Sequence, residues 1–234
     1  MTTEEMLVTI AENEQKVFDA GIEEANNLFW DNMKKIRYKS SDNTFNYSYA
    51  FCFWNKDMFK PTYQIKPTNA TYMFHSFQSE INLADYDIDF SQCTNFQNFL
   101  LWAQITGIGK VDTRSAKSVS FYVAYMLKQI DELNLKEDGS QTFDMRDMSK
   151  LKRINIITGT IGQNIAFDKS TVIEKDTIVR IIEHLSNTSA NKTFTIPKLA
   201  INNAFGINID DVSTHTEEWT ALRNSKSNWN FSFV

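Results

Sequence analysis

A short apolar phrase recurs through the middle of the chain. Aliphatic residues stand three positions apart within residues 105–111, 127–133 and 151–157, and the last copy consists of Leu151, Ile154 and Ile157. A sequence period of about 20–29 residues is typical of leucine-rich-repeat solenoids, in which each unit contributes one short strand to a parallel stack. The phrase therefore predicts an α/β repeat fold, a leucine-rich-repeat-like solenoid of short strands.

A second phrase marks the start of each unit. Tyr-x-Phe occurs at residues 49–51 and 72–74, and weaker copies follow at 98–100 and 121–123. Each copy precedes an apolar strand phrase, so one unit is predicted to be a compact turn or helical segment followed by a strand. With only 7 Gly and 3 Pro in the chain, the turns must depend on Asn, Asp and Ser. We expect the solenoid to occupy residues 40–169.

The region that precedes the repeats, residues 1–39, is predicted to be mainly helical. Apolar residues with a 3.6-residue period indicate a helix over residues 2–37. This helix either folds back on the body or projects and associates with copies of itself, which would make it an oligomerisation or anchoring unit of a homo-oligomer. The apolar stripe that would form this contact consists of Leu7, Ile10, Val17, Phe18, Ile22 and Phe29.

The repeat pattern stops near residue 170, and residues 170–234 are predicted to form a mixed α/β cap. A solenoid needs terminal units that differ from its repeats, because they cover an otherwise open apolar end. The expected elements are helices at 174–186, 198–205 and 217–225 and strands at 193–196 and 229–234, with Gly206 ending the second helix.

Composition excludes several classes of partner. The net charge is −5 and no cluster of Lys and Arg resembles a nucleic-acid footprint, so we expect no nucleic-acid partner. No apolar run approaches 18 residues and the start of the chain lacks the pattern of a secretory signal, so we expect synthesis in the cytoplasm without membrane insertion. Cys52 and Cys93 are predicted to be buried, reduced thiols.

The sequence shows no recognisable catalytic or cofactor motif. The three histidines have no Cys, His or Asp at metal-ligand spacing, and Asp85, Asp87 and Asp89 lack the glycine and closing acid of a calcium loop. Gly107 and Gly109 lack the third glycine of a phosphate-binding loop, and we interpret them as part of a strand. No metal, no cofactor and no enzymatic activity are therefore expected.

Two sets of side chains are candidates for binding. Trp102 and Tyr125 occupy matching places in successive units, with Phe53 at the matching place earlier, and such an aromatic column is either core or a stacking surface for a glycan or protein. Polar residues within the strand phrases should face outward when their apolar neighbours face inward. These residues, predicted to form a binding strip, are Lys128, Gln129, Lys152 and Arg153.

Several phrases together resemble one known family. They are residues 1–20, the segment from Phe59-Lys60-Pro61 to residues 67–70, Asp138-Gly139-Ser140-Gln141-Thr142-Phe143, Gly159-Thr160-Ile161-Gly162-Gln163-Asn164 and the closing Asn228-Trp229 strand. In this order, over nearly the whole chain, they resemble the BspA-like leucine-rich-repeat proteins of phages and prophages of gut Firmicutes. The phrases at 98–100 and 121–123 depart from the family's Tyr-x-Phe pattern, so irregular coils are expected.

The resemblance implies a non-enzymatic protein of the phage virion, in a tail or baseplate position, which recognises a bacterial surface receptor. Its implied partners are other phage structural proteins and a bacterial surface glycan or protein, and the family supplies no catalytic residue. Two alternatives remain open at this point. One is a structural or decoration protein that binds only other phage proteins, and the other is an intracellular protein that interacts with the host.

Overall fold

Short parallel strands connected by turns form most of the molecule. The computed structural model describes residues 19–21, 23–24, 44–61 and 64–234. The strands are β1 (Thr44–Asn46), β2 (Lys66–Asn69), β3 (Ile81–Asn82), β4 (Ile105–Asp112), β5 (Ser118–Ser120), β6 (Gln129–Asn134), β7 (Thr142–Asp144), β8 (Arg153–Thr158), β9 (Ile165–Ala166), β10 (Lys192–Ile196) and β11 (Trp229–Phe233). The helices are α1 (Lys175–Glu183), α2 (Lys198–Phe205) and α3 (Glu217–Asn224), with 3-10 turns at Leu83–Asp85 and Val212–Thr214.

The strands form four sheets within the described residues, and every pairing in them is parallel. The three longest strands, β4, β6 and β8, join the short β3 in a four-stranded sheet with the order β3-β4-β6-β8, and the last part of the chain builds a three-stranded sheet in the order β11-β10-β9. Two-stranded sheets join β1 to β2 and β5 to β7. Parallel neighbours need a long connection between them, and here turns and short strands supply it.

The predicted apolar phrase sets the register of the four-stranded sheet. Ile108 of β4 pairs with Ile130 of β6, which pairs with Ile154 of β8, and all three side chains are buried. The prediction for Ile157 is wrong, because that residue is 47% exposed and Ile156 is buried in its place. Successive side chains of a strand point to opposite faces, so after Ile154 it is residue 156 that returns to the core.

The core is rich in phenylalanine, which fills the space between successive turns. Ring centroids lie 5.2 Å apart for Phe51 and Phe74, 5.8 Å for Phe74 and Phe99, and 6.3 Å for Phe99 and Phe121. These side chains are fully buried. Removing each from water contributes roughly 1.5–3 kcal/mol, which makes this column a major source of cohesion between the turns.

Gly107 and Gly109 lie in β4, as predicted, and the structure explains why the strand carries glycine there. A Cβ atom on Gly107 would lie 2.6 Å from Oδ1 of Asn82, and one on Gly109 would lie 3.3 Å from Cα of Ala84. Asn82 accepts a hydrogen bond from the Ala84 N–H and holds the 3-10 turn against β4. The two glycines therefore permit close approach of the preceding unit.

The C-terminal elements agree closely with the predicted ones. Helix α2 ends at Gly206, whose φ of 65° and N–H bond to the Asn202 carbonyl make it the predicted left-handed terminating residue. Strand β9 pairs with β10, so parallel hydrogen bonding continues across the predicted boundary at residue 170. Mixed α/β content and parallel sheets are thus described, while the leucine-rich-repeat class stays a prediction.

The predicted N-terminal contact involves residues outside the described part of the chain. Residues 19–21 and 23–24 are helical, whereas the residues predicted to mediate oligomerisation, Leu7, Ile10, Val17, Phe18, Ile22 and Phe29, lie outside the described part of the chain. Among the described helices, none is both long and apolar enough to cross a membrane.

Both cysteines are free thiols. Cys93 is fully buried, as predicted, whereas Cys52 is only half-buried, so the prediction of a buried thiol is wrong for Cys52. Its Sγ lies 3.0 Å from the Tyr72 carbonyl oxygen, at the surface of a turn rather than inside the core.

Candidate functional site

A set of aromatic side chains lies on the surface of three turns, at residues 48–53, 71–76 and 97–102, and equivalent turns follow at residues 122–126 and 146–150. We number these five turns in chain order. Tyr49 and Phe53 are each 60% exposed, Trp102 is 55% exposed, and Tyr72 and His75 are half-buried between them. We call these five residues the aromatic strip. Side chains of this size are normally buried, so their exposure in one connected series marks a candidate interaction surface.

The rings of the aromatic strip contact one another from turn to turn. The Tyr49 and Tyr72 rings are stacked with centroids 4.9 Å apart, and the Tyr72 and His75 rings meet edge to face at 5.5 Å. His75 also contacts Phe53 at 5.4 Å and Trp102 at 5.6 Å. These contacts fix the orientation of each ring before any partner arrives.

Asparagine side chains shape the turns that carry the strip. Oδ1 of Asn46, Asn69 and Asn95 accepts the N–H of the residue two positions later, at 2.9, 2.9 and 3.0 Å. The Tyr49 N–H then donates to a carbonyl of the second turn (2.9 Å), and the Tyr72 N–H donates to one of the third turn (3.0 Å). Short Asx turns therefore hold successive copies in parallel register.

Four of the five residues of the aromatic strip have a left-handed backbone. The φ angles are 59° for Tyr49, 61° for Phe53, 51° for Tyr72 and 57° for Trp102. Equivalent turn positions carry other residues, for example Asn98 with φ of 50°. A left-handed conformation costs a side-chain-bearing residue roughly 1–2 kcal/mol, and Gly or Asn accepts it most readily. The turns thus accommodate bulky aromatics at positions where asparagine would suit the backbone better.

The aromatic strip lies in a part of the chain that carries no formal charge. None of residues 44–55, 67–79, 90–109 and 118–127 is Asp, Glu, Lys or Arg, although these four types make up 23% of the sequence. We call these four segments the uncharged zone. His75 is the one histidine in these segments. Between residues 44 and 127, every Asp, Glu, Lys and Arg lies in one of the intervening segments 56–66, 80–89 and 110–117.

The fifth turn is the first of these turns to carry formal charge. The Arg146 guanidinium lies 5.0 Å from the centroid of the Tyr122 ring and pairs with Asp144 at 2.8 Å. Hydrogen bonds from Arg146 hold the pKa of Asp144 below its usual value. The surface beyond Tyr122 is therefore ionic, in contrast to the aromatic strip.

The predicted polar residues lie on a different element from the aromatics. Lys128, Gln129, Lys152 and Arg153 lie at the starts of β6 and β8, where the Lys152 N–H donates to the Lys128 carbonyl at 2.9 Å. Arg153 donates to Oε1 of Gln129 (3.0 Å) and to Oδ1 of Asp131 (3.2 Å). Within this surface the Arg153 charge is therefore already paired with Asp131.

The predicted pair Trp102 and Tyr125 is not equivalent in the structure. Trp102 is largely exposed, so the interpretation of the column as core is wrong at this position and also at Phe53. Tyr125 is half-buried. Tyr49, Tyr72 and His75 were not predicted as binding residues, although the repeated Tyr-x-Phe phrase already placed the first two at one position of the unit.

A polar cleft of about 550 Å³ lies between the 3-10 turn and β4, with Asp87, Asp89 and Asp112 among its lining residues. Asp89 accepts the Ser91 N–H, and Asp87 accepts from Nε2 of Gln64. Burial raises the pKa of Asp112, but hydrogen bonds from Arg114 outweigh it, so the net pKa is lowered. Within the described ranges, no group of three or more His, Cys, Asp or Glu residues could hold a metal ion.

Comparison with models of known protein families, with curated proteins and with solved structures found no match. The candidate site therefore rests on its own geometry, which is a set of exposed and half-buried aromatic rings in mutual contact, carried by chain segments without formal charge.

Proposed function

We propose that this protein is a non-enzymatic binding protein of a phage particle, in a tail or baseplate position, which recognises a bacterial surface receptor. The scaffold in this proposal is a leucine-rich-repeat-like solenoid. The parallel strands in register at Ile108, Ile130 and Ile154 support that architecture, and the family resemblance supports the phage setting.

One observation carries the binding role. Three aromatic residues that are 55–60% exposed lie in contact with two half-buried ones along successive turns. Aromatic side chains supply rigid contact area at little conformational cost, and they dominate the energetics of recognition surfaces. Exposed rings of this kind add little to folding, so an external partner is the better account of them.

Binding of the purified full-length chain to intact bacteria tests the proposal. The fluorescently labelled protein is incubated with a panel of gut Firmicutes strains, and bound protein is measured by flow cytometry. Saturable binding to a subset of strains is expected, with Trp102→Asn reducing the apparent affinity by about tenfold or more.

Asp147→Asn is the matched control, because Asp147 has a left-handed φ of 58° but lies outside the uncharged zone. This variant should bind as the unchanged protein does. Absence of binding to every strain, or equal binding by the Trp102→Asn variant, would contradict the proposal.

A further inference from the structure

Building on the proposed role in surface recognition, we infer that the aromatic strip binds an electrically neutral polysaccharide of the bacterial envelope. Sugar rings would pack on the exposed ring surfaces of Tyr49, Phe53 and Trp102, and sugar hydroxyls would bond to neighbouring amide side chains. This inference names the chemical class of the receptor, which the proposed function leaves open.

The absence of formal charge is the first argument for a neutral ligand. The aromatic strip and its surroundings in the uncharged zone contain no Lys or Arg to attract an anionic polymer and no Asp or Glu to attract a cationic one. Phosphate-containing polymers and nucleic acids are bound largely through Lys and Arg, and protein interfaces usually carry a charged or polar rim that guides association. A neutral polymer needs neither feature.

The polar side chains beside the strip are the second argument. Gln97 and Gln78 are exposed, and Asn98 and Gln104 are half-buried, so amides line the turns that carry the rings. Nδ2 of Asn98 donates to the Tyr72 hydroxyl at 2.7 Å, which orients that hydroxyl. An amide offers both donors and an acceptor, as a sugar hydroxyl requires. Rings next to uncharged hydrogen-bonding groups match a sugar, which has an apolar face and a polar rim.

The repetition of the surface is the third argument. The three ring contacts between successive turns have centroid distances of 4.9, 5.4 and 5.6 Å, close to the spacing of about 4.8 Å between neighbouring strands. A ligand that is itself a regular polymer can make the same contact at successive turns. The Asn98 amide bonds to the Tyr72 hydroxyl at the edge of the strip, so the rings have a hydrogen-bonding group beside them as well as apolar surface.

Affinity electrophoresis of the full-length protein provides the direct test. Native gels contain neutral envelope polysaccharide extracted from a bound strain, anionic wall teichoic acid from the same strain, or no polymer. Retardation is expected in the neutral polysaccharide alone. Phe53→Asn and Trp102→Asn should each weaken it by about tenfold or more, and Asp147→Asn should leave it unchanged.

Folding of these variants is checked independently. Asn accepts the left-handed backbone of positions 53 and 102, so thermal unfolding of both variants should occur at the same or a higher temperature than in the unchanged protein. If one variant loses retardation because it has unfolded, the inference is judged on the other variant, which must then lose retardation while folded.

Two further measurements separate the receptor classes on intact cells. Mild periodate treatment, which cleaves sugar diols, should abolish binding, whereas protease treatment of the cells should preserve it. Because the ligand is neutral, raising NaCl from about 0.05 M to about 0.5 M should leave binding unchanged. Cell binding that resists periodate and disappears after protease treatment would overturn the glycan inference while leaving the proposed function intact. Cell binding with strong salt dependence, or retardation by teichoic acid, would also overturn the inference of a neutral glycan.

Discussion

Replacing Gly159 by alanine tests how closely successive turns approach one another. Gly159 has φ of 86°, and a Cβ atom placed on it would lie 2.3 Å from the Leu135 carbonyl oxygen and 2.7 Å from the Leu135 Cβ. Two backbone hydrogen bonds flank Gly159. The Leu135 N–H donates to the Thr158 oxygen (3.1 Å), and the Thr160 N–H donates to the Lys136 oxygen (2.9 Å). Alanine therefore cannot be accommodated unless the two turns separate.

The expected destabilisation has two parts. The left-handed conformation costs an alanine roughly 1–2 kcal/mol, and overpacking against backbone atoms adds roughly 1–3 kcal/mol. Gly206→Ala isolates the first part, because Gly206 has φ of 65° but no atom within 4 Å of an added Cβ. The lower unfolded-state entropy of alanine affects both variants alike and cancels in the comparison. Gly159→Ala should thus lose about 1–3 kcal/mol more than Gly206→Ala.

Urea unfolding followed by tryptophan fluorescence measures both variants. The midpoint concentration should fall for each, more for Gly159→Ala, with the dependence of the unfolding free energy on urea unchanged. If Gly159→Ala is no more destabilised than Gly206→Ala, the turns at residues 135 and 159 are not in backbone contact, and the close stacking inferred for them is incorrect.

Three other predictions follow from buried groups. Burial raises the pKa of the Cys93 thiol to about 11, so at about pH 8 a thiol reagent should modify Cys93 much more slowly in the folded protein than in urea; equal rates would contradict its burial. Gly107→Ala should cost about 1–3 kcal/mol in urea unfolding, and most of this should be recovered in combination with Asn82→Ala, whose Oδ1 occupies the space. Lys226→Met should cost about 1–3 kcal/mol, because Nζ of Lys226 donates to the Leu185 carbonyl at 2.6 Å. Burial lowers the pKa of Lys226 in the folded protein, so the unfolded chain binds the Lys226 proton more tightly. The free energy of unfolding of the unchanged protein should therefore increase, relative to that of Lys226→Met, as pH rises from the lowered pKa towards the pKa of the unfolded chain.

Periodic features of the fold could be predicted from the sequence. The apolar phrase fixed which residues of β4, β6 and β8 lie side by side, because a side chain of the wrong polarity on the inner face would be buried without a partner. The end of α2 was also predictable, since Gly206 is the residue that accepts a left-handed terminating position. The inward position of Ile156 was missed because the three-residue spacing of the phrase was applied to β8, where the two-residue alternation of a strand places residue 156 in the core.

The geometry of the turns limited prediction of the candidate site. Counting from the Tyr-x-Phe phrase and its weaker copies treats Trp102 and Tyr125 as equivalent. The third turn contains two left-handed residues, Asn98 and Trp102, whereas the fourth contains one, Val123. The two turns therefore follow different paths, and the same count of residues ends at a largely exposed ring in one and a half-buried ring in the other. The exposure of each ring depends on the backbone conformation at single residues of the turn, and the side-chain types in the sequence do not reveal that conformation.

The aromatic residues at left-handed positions are better explained by a partner than by folding. Asn98 and Ser76 show that the same turn positions accept small polar residues. At Phe53 and Trp102 the chain instead holds a ring that is more than half exposed, on a backbone conformation that costs roughly 1–2 kcal/mol and that asparagine adopts more readily. Under the proposed function, exchange of Phe53 or Trp102 for asparagine should therefore maintain or raise stability while weakening binding.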